Sequence, residues 1–320
     1  MVNRIKKKIK KESIIGLLKV ATGFLFIFAI FHFVGANDLF SVLSQVSFGL
    51  LFLSILVEPF VILLTGLSYK VLLKTLNVNV KTLYITRLAS VGYAIGFITP
   101  ARIAEFGITV PLTKHGITVG EGLGMMAVDK ILSTVVVLIT GIIGVIILGG
   151  SNESILIIAG LVVFFLSAIV MATSKKSRQI IVKYFLKGHS EYFLEFTKTL
   201  RKLFSSPGPI FICFLFKVAK WTFSFLSVAI IFRALGHPLE VHVVGMIFSL
   251  VVIFSTIPIT ISGLGLKEGS GALLYNIFAG VAPAVATNAM LLSTANIFLV
   301  SIIYYTLSYK LLFSEKQIFQ

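Results

Sequence analysis

The chain is short of the residues that mark a soluble protein. Only 12% of its 320 residues are charged, against roughly 25% in soluble domains. Its single cysteine, Cys213, excludes an intramolecular disulfide and a cysteine-built metal cage. His115, His189, His237 and His242 lack metal-ligand spacing, and no nucleophile stands beside a base in a recognisable constellation. The glycines of Gly263-Leu-Gly-Leu-Lys-Glu-Gly-Ser-Gly271 fail the Gly-x-Gly-x-x-Gly spacing of a dinucleotide fingerprint, and no strand precedes them. These shortages exclude a cytosolic enzyme, a disulfide scaffold and a disordered chain. They predict a protein without metal, cofactor or enzymatic activity.

What is abundant is apolar. Hydrophobic residues make up 57% of the chain, mean hydropathy is +1.03, and several apolar runs are long enough to cross a bilayer. The net charge of +16 would suit nucleic acid in a soluble chain. In a membrane chain the same excess reports lysines held on the cytoplasmic side, so no nucleic-acid partner is expected. The first run, Ile14 to Val34, follows six basic residues between Arg4 and Lys11 without a clear cleavage site, which predicts an uncleaved helix with a cytoplasmic N-terminus. Further runs cover 46–73, 83–98, 119–148, 153–173, 208–232, 241–257 and 284–313.

The distribution of basic residues constrains how these runs cross. Residues 70–87 carry Lys70, Lys74, Lys81 and Arg87, and residues 175–202 carry eight basic residues, whereas 37–45, 149–152 and 280–283 carry none. An odd number of crossings must separate 70–87 from 149–152, yet two apolar runs lie between them. The first is short and stops at Thr99-Pro100, where proline disfavours further helix. Residues 83–112 are therefore expected to form a re-entrant hairpin from the cytoplasmic side with its tip near Pro100. By the same reasoning 241–279 form a second, opposed hairpin, broken at Pro258-Ile-Thr-Ile-Ser-Gly-Leu-Gly265, with Pro258, Gly263 and Gly265 at its tip.

The expected fold is thus an all-α polytopic membrane protein, with six full spans plus two opposed hairpins in an inverted repeat. After a basic segment, 1–13, residues 14–150 make the first repeat and 151–320 the second, both termini being cytoplasmic. The repeat has a register: Lys74-Thr-Leu76 lies 26 residues before Pro100, and Arg233-Ala-Leu235 lies 25 residues before Pro258. Broken helices meeting near the midplane are characteristic of secondary transporters. The alternative is eight ordinary spans kinked at the two prolines. Within 175–204, Phe193, Phe196, Leu200, Leu203 and Phe204 recur at helical spacing among Lys198, Arg201 and Lys202, which predicts a basic amphipathic helix on an anionic leaflet.

Ionisable residues at membrane depth are costly, roughly 2.5–3.5 kcal/mol each on insertion scales, and mark function by default. Arg102 and Glu105, three apart past the first tip, can share a helical face and pair. A cation there can hold a phosphate, and the carboxylate can balance it when the site is empty. Lys267 and Glu268 follow the second tip, where glycines allow close approach and exposed amides favour anions; Gly265-x-x-x-Gly269 and Gly92-x-x-x-Gly96 also suit tight helix packing. Asp129 and Lys130 lie inside 119–148 and could satisfy each other or a hairpin partner. Glu58 and Lys220 hold nearly equivalent positions in the two repeats, which allows a cross-repeat pair. Lys217 reads as a structural or snorkelling lysine.

Pro100-Ala-Arg102-Ile-Ala-Glu105 and Pro258-x-x-x-Ser-Gly-Leu-Gly-x-x-Glu268 resemble two segments of the flippase-like transmembrane region of the lysylphosphatidylglycerol synthetase family. The resemblance covers about residues 15–313. It implies a domain that translocates a lipid or lipid-linked substrate. Four departures stand out: Ala104 precedes Glu105 where a glycine is expected, Ile108 replaces an expected arginine, Asp129-Lys130 replaces Glu-Arg, and Ser133 stands where an Asp is usual. Losing an arginine weakens the case for aminoacyl-phospholipid handling. With no residues after Gln320 to build the soluble aminoacyl-transferase domain, the chain is not expected to be a synthetase. The expected substrate is an anionic phospholipid or a polyprenyl-phosphate lipid in a bacterial or archaeal cytoplasmic membrane, bound near Arg102, Glu105, Lys267, Glu268, Asp129 and Lys130. Rival readings are a membrane enzyme acting on lipid phosphates and a non-transporting partner of another membrane enzyme.

Overall fold

A computed structural model describes residues 35–97, 99, 102–149, 190–257, 260 and 263–313, together with His32 and Gly160. Outside these residues lie the rest of the runs at 14–34 and 153–173, the prolines at 100 and 258, and the basic residues between 175 and 187.

The described residues form ten α-helices and no strand. They are α1 (Ala36–Ser44), α2 (Phe48–Thr75), α3 (Thr82–Phe97), α4 (Thr109–Leu112), α5 (Val119–Leu148), α6 (Ser190–Phe204), α7 (Pro207–Ala234), α8 (Val241–Ser255), α9 (Leu266–Ala279) and α10 (Pro283–Phe313). Two 3-10 turns, Ile103–Ile108 and Thr113–His115, flank α4. Four helices are long and apolar enough to cross a membrane: α2 and α7 with 28 residues each, α5 with 30, and α10 over the 25 residues Pro283–Leu307. At about 1.5 Å per residue, 28 residues reach beyond a hydrocarbon core of about 30 Å. Helices α3, α8 and α9, with 16, 15 and 14 residues, fall short of it. The segment at 37–45, which carries no basic residue, lies mostly in a helix, α1, seated through buried Leu39.

The distribution of polarity is the reverse of a soluble bundle. Phe48, Phe52, Leu56 and Phe60 of α2 and Ile139, Ile143, Ile146 and Ile147 of α5 are exposed. Ser54, Glu58, Thr65 and Ser68 of α2, by contrast, are buried. A lipid environment makes this favourable: apolar side chains face hydrocarbon, and polar groups find partners inside the protein.

α2 and α7 form the most extensive helix pair and end in the same motif. After α2, Asn77 adopts φ 68, and the Val78 amide donates to the Leu73 carbonyl at 2.9 Å. After α7, Gly236 adopts φ 79, and the His237 amide donates to the Phe232 carbonyl at 3.0 Å. Both are Schellman caps, which satisfy carbonyls that a helix end leaves open. They fall on the two stretches whose register defines the expected repeat. The packing is reciprocal as well: α3 packs on α10, and α8 packs on α5.

α6 forms a helix over the expected amphipathic stretch and packs one face on protein. Lys198, Arg201 and Lys202 are exposed, but Thr199 and Leu203 are buried because the helix rests on the start of α5. A Cβ on Gly124 of α5 would lie 2.8 Å from Thr199 Cβ. The helix therefore has a protein-packed face in addition to whatever surface it offers to a membrane.

Candidate functional site

The first broken segment folds back by local hydrogen bonds. Thr99 Oγ1 donates to the Gly96 carbonyl at 3.1 Å and accepts from the Ala104 amide at 3.1 Å. Arg102 takes a left-handed conformation, φ 53, and the chain returns as a 3-10 turn rather than the expected α-helix. Glu105 consequently nests against α3, where a Cβ on Gly96 would lie 2.5 Å from its Cγ. Gly92 and Gly96 thus serve close packing, as anticipated. Glu105 is 3% exposed. It pairs with Lys130 of α5 and lies 3.5 Å from Arg102 Nη1. The expected Arg102–Glu105 pair is present, with the Glu105–Lys130 pair to α5 added to it.

The second segment solves the same problem differently. Gly263 and Gly265 adopt φ 77 and 82, conformations costly for any residue with a Cβ. α9 then begins at Leu266, which puts Glu268 in its first turn. Its Oε2 accepts from the Gly265 amide at 2.6 Å, so the carboxylate caps its own helix. Close packing on α10 occurs at Gly271, against Met290, while Gly265 acts as a turn residue. Lys267 reaches across to α10, donating to Ser293 Oγ at 3.1 Å and Thr294 Oγ1 at 3.0 Å. Its ammonium also lies 5.3 Å from the centre of the Phe248 ring.

Between these segments lies a cavity of ≈ 400 Å³. Its described lining includes four cations, Arg102, Lys130, Lys220 and Lys267, and one carboxylate, Glu58. Tyr93, Trp221 and Phe248 contribute ring surfaces, and Ser133, Thr134, Ser224, Ser293 and Thr294 contribute hydroxyls. Lys220 Nζ sits 4.6 Å from the Trp221 ring and 5.8 Å from the Tyr93 ring. Trp221 is itself fixed by donating from Nε1 to Ser133 Oγ at 3.0 Å. Glu58 accepts from Ser227 Oγ at 2.8 Å.

The structure divides the residues singled out from the sequence. Arg102, Lys130 and Lys267 line the cavity, with Glu105 immediately behind the first two. Glu268 caps a helix. Asp129, although adjacent to Lys130, turns toward α7, accepting from Ser68 Oγ at 2.9 Å and pairing with buried Lys217. Lys217 is therefore a structural partner and not a snorkelling one. Glu58 and Lys220 share the cavity, but the partners of Glu58 and Lys220 are a serine and two rings. Tyr93, Trp221, Ser293 and Thr294 were not anticipated, because an aromatic or hydroxyl residue in a span carries no signal by itself. Pro100 and Pro258 lie outside the described residues. Among the described residues no three His, Cys, Asp or Glu side chains are placed to hold a metal ion.

Long apolar helices with polar interiors, surrounding a cation-lined cavity, define a helical integral membrane protein. Residues 15–304 match the lysylphosphatidylglycerol synthase TM region, and the chain belongs to that family. No curated protein matches it.

Proposed function

We propose that the protein is a flippase-like carrier that moves an anionic phospholipid or polyprenyl-phosphate lipid across a bacterial or archaeal cytoplasmic membrane. The observation that carries this is the charge of the cavity: four cations face it against one carboxylate. Glu105 already answers Arg102 and Lys130. Among the described residues Lys220 and Lys267 have no direct acid partner, and such a cation costs several kcal/mol to hold away from water unless an anion completes it. A phosphate head group would supply that anion, and its tails would stay in the surrounding lipid. The departure from the family at Ser133 fits the same reading, since a hydroxyl lines the cavity where an acid would oppose the substrate's charge.

In this reading the short helices α3, α8 and α9 belong to two opposed re-entrant hairpins of an inverted repeat. The matching Schellman caps and the reciprocal packing of α3 on α10 and α8 on α5 support that symmetry. Six full spans would place both termini in the cytoplasm, and alternating exposure would come from rocking one repeat against the other. The reaction is transport without covalent change to the lipid.

The test is transbilayer movement in proteoliposomes. Head-group-labelled phosphatidylglycerol should lose its inner-leaflet protection from a membrane-impermeant quencher faster with protein than without, while labelled phosphatidylcholine should not. An Arg102→Ala/Glu105→Gln double substitution should slow the movement. Equal rates with and without protein for every anionic lipid tried would remove the carrier function.

A further inference from the structure

The cavity's charges fall into two triads of two cations and one carboxylate, and they differ in how they are closed. In the first, Glu105 meets Lys130 and Arg102 directly, so the acid is already committed to both cations. In the second, Glu58 lies within electrostatic reach of Lys220 and Lys267, but its hydrogen bond goes to Ser227. The two lysines are held by neutral groups: ring faces at Lys220, and a ring face and two hydroxyls at Lys267. Ring faces and hydroxyls orient an ammonium without cancelling its charge. Of the remaining acids, Asp129 pairs with Lys217, while Glu268 caps the start of α9 through Oε2 and opposes the charge of its neighbour Lys267 without a hydrogen bond to it.

From this asymmetry we propose that Lys220 and Lys267 form the clamp that holds the phosphate of the substrate, with Glu58 as the counter-charge the phosphate displaces in importance. The Arg102–Glu105–Lys130 triad holds the first hairpin to α5 and contributes only its residual positive charge. The inference deepens the carrier reading and rests on its cavity being the substrate site. Lys220 comes from α7 and Lys267 from the second broken segment, so a phosphate between them would tie that segment to a full span. Ser293 and Thr294, which already accept from Lys267, would hold the ammonium in place while it donates its remaining hydrogen to the ligand. Ammonium groups have three donors, so these contacts are compatible.

The experiment is equilibrium binding to purified full-length protein in detergent, with short-chain phosphatidylglycerol, phosphatidic acid, diacylglycerol and inorganic phosphate as probes. Lys220→Gln and Lys267→Gln should each weaken binding of both phospholipids by about tenfold or more, because each removes a charge-assisted hydrogen bond. Glu58→Gln, which keeps an acceptor for Ser227, should tighten it several-fold. A purely structural role for these residues does not predict opposite signs. If either glutamine variant fails to fold, Lys220→Arg and Lys267→Arg must retain binding, and absence of a gain in Glu58→Gln overturns the clamp.

Wild-type affinity in Lys220→Gln and Lys267→Gln also overturns it. In that case preferential binding of phosphatidylglycerol over diacylglycerol by the unmodified protein would still leave the carrier reading standing. Inorganic phosphate bound as tightly as the phospholipids, and lost in both glutamine variants, would keep the clamp and overturn the lipid carrier.

Discussion

The two broken segments begin from similar material and end in different chemistry. Each places a cation and a glutamate just beyond its break: Arg102 and Glu105 in the first, Lys267 and Glu268 in the second. In the first, the acid is an ion-pair partner shared between Arg102 and Lys130. In the second, the acid caps its own helix through the Gly265 amide. The local backbone decides. Past Arg102 the chain runs as a 3-10 turn, so Glu105 is delivered to Gly96 and Lys130. Past Gly265 it runs as an α-helix, so an acid three residues on falls where it can satisfy an open amide. One glutamate serves as a charge and the other as a hydrogen-bond acceptor.

That contrast can be broken by a pair of isosteric substitutions. Glu105→Gln removes the charge that two cations share. It should destabilise the protein by about 3 kcal/mol, the low end for removing one partner of a buried pair, since Lys130 keeps 39% side-chain exposure. Glu268→Gln keeps an oxygen able to accept from Gly265 but buries an amide nitrogen where Oε1 has no hydrogen-bond partner among the described residues, and should cost less, about 1–2 kcal/mol. Chemical unfolding in detergent micelles, read by the single tryptophan, Trp221, measures both. Equal losses would mean that Glu268 also acts through its charge.

A second pair sharpens the packing side of the comparison. A Cβ on Gly96 would meet Glu105 Cγ at 2.5 Å, with Glu105 Oε1 at 3.0 Å. Glu105 cannot yield without leaving Lys130, so Gly96→Ala should cost roughly 1–3 kcal/mol. A Cβ on Gly271 would meet Met290 at Cγ, near the backbone of a fully buried side chain, which can yield only by repacking, although no ion pair holds it. Gly271→Ala should therefore cost about 1–2 kcal/mol. The same unfolding measurement decides, and a larger loss at Gly271 would mean that α9 and α10 are the more tightly locked pair.

These contrasts mark where sequence reading stops. The apolar runs at 46–73, 119–148, 208–232 and 284–313 anticipate α2, α5, α7 and α10 to within a few residues, because hydropathy reports depth in a membrane directly. The breaks after 83–98 and 241–257 are legible for a different reason, the proline that follows each run. Azimuth is not. Asp129 and Lys130 are neighbours in the chain, yet successive helical residues point about 100° apart, so one joins Lys217 and the other joins Glu105. Lys217 and Lys220 divide in the same way between a structural pair and the cavity. Which face meets which helix depends on the rotation of every span in the bundle, and the sequence carries that only as weak patterns of small residues. Trp221 and Ser133 meet across two helices separated by 88 positions, and nothing local to either announces the contact. The amphipathic pattern of 193–204 was legible as a helix, but not its seat on Gly120 and Gly124, since glycines that receive a neighbour look like any other glycines in a span.

The smallest effect concerns the fold-back itself. The first segment closes through a side chain: Thr99 Oγ1 donates to the Gly96 carbonyl and accepts from the Ala104 amide. The second does so through the acid of Glu268. Thr99→Val keeps the β-branched shape and removes both bonds, leaving the Ala104 amide to find another acceptor. The expected loss is about 1 kcal/mol in global stability. Amide exchange of Ala104 and Glu105 should quicken more than that of α5, since the fault lies in the turn and the Glu105–Lys130 pair still anchors the return leg. If exchange instead rises equally in the turn and in α5, the hydroxyl is part of what keeps Glu105 on Lys130, and the turn and the ion pair form one cooperative unit rather than two.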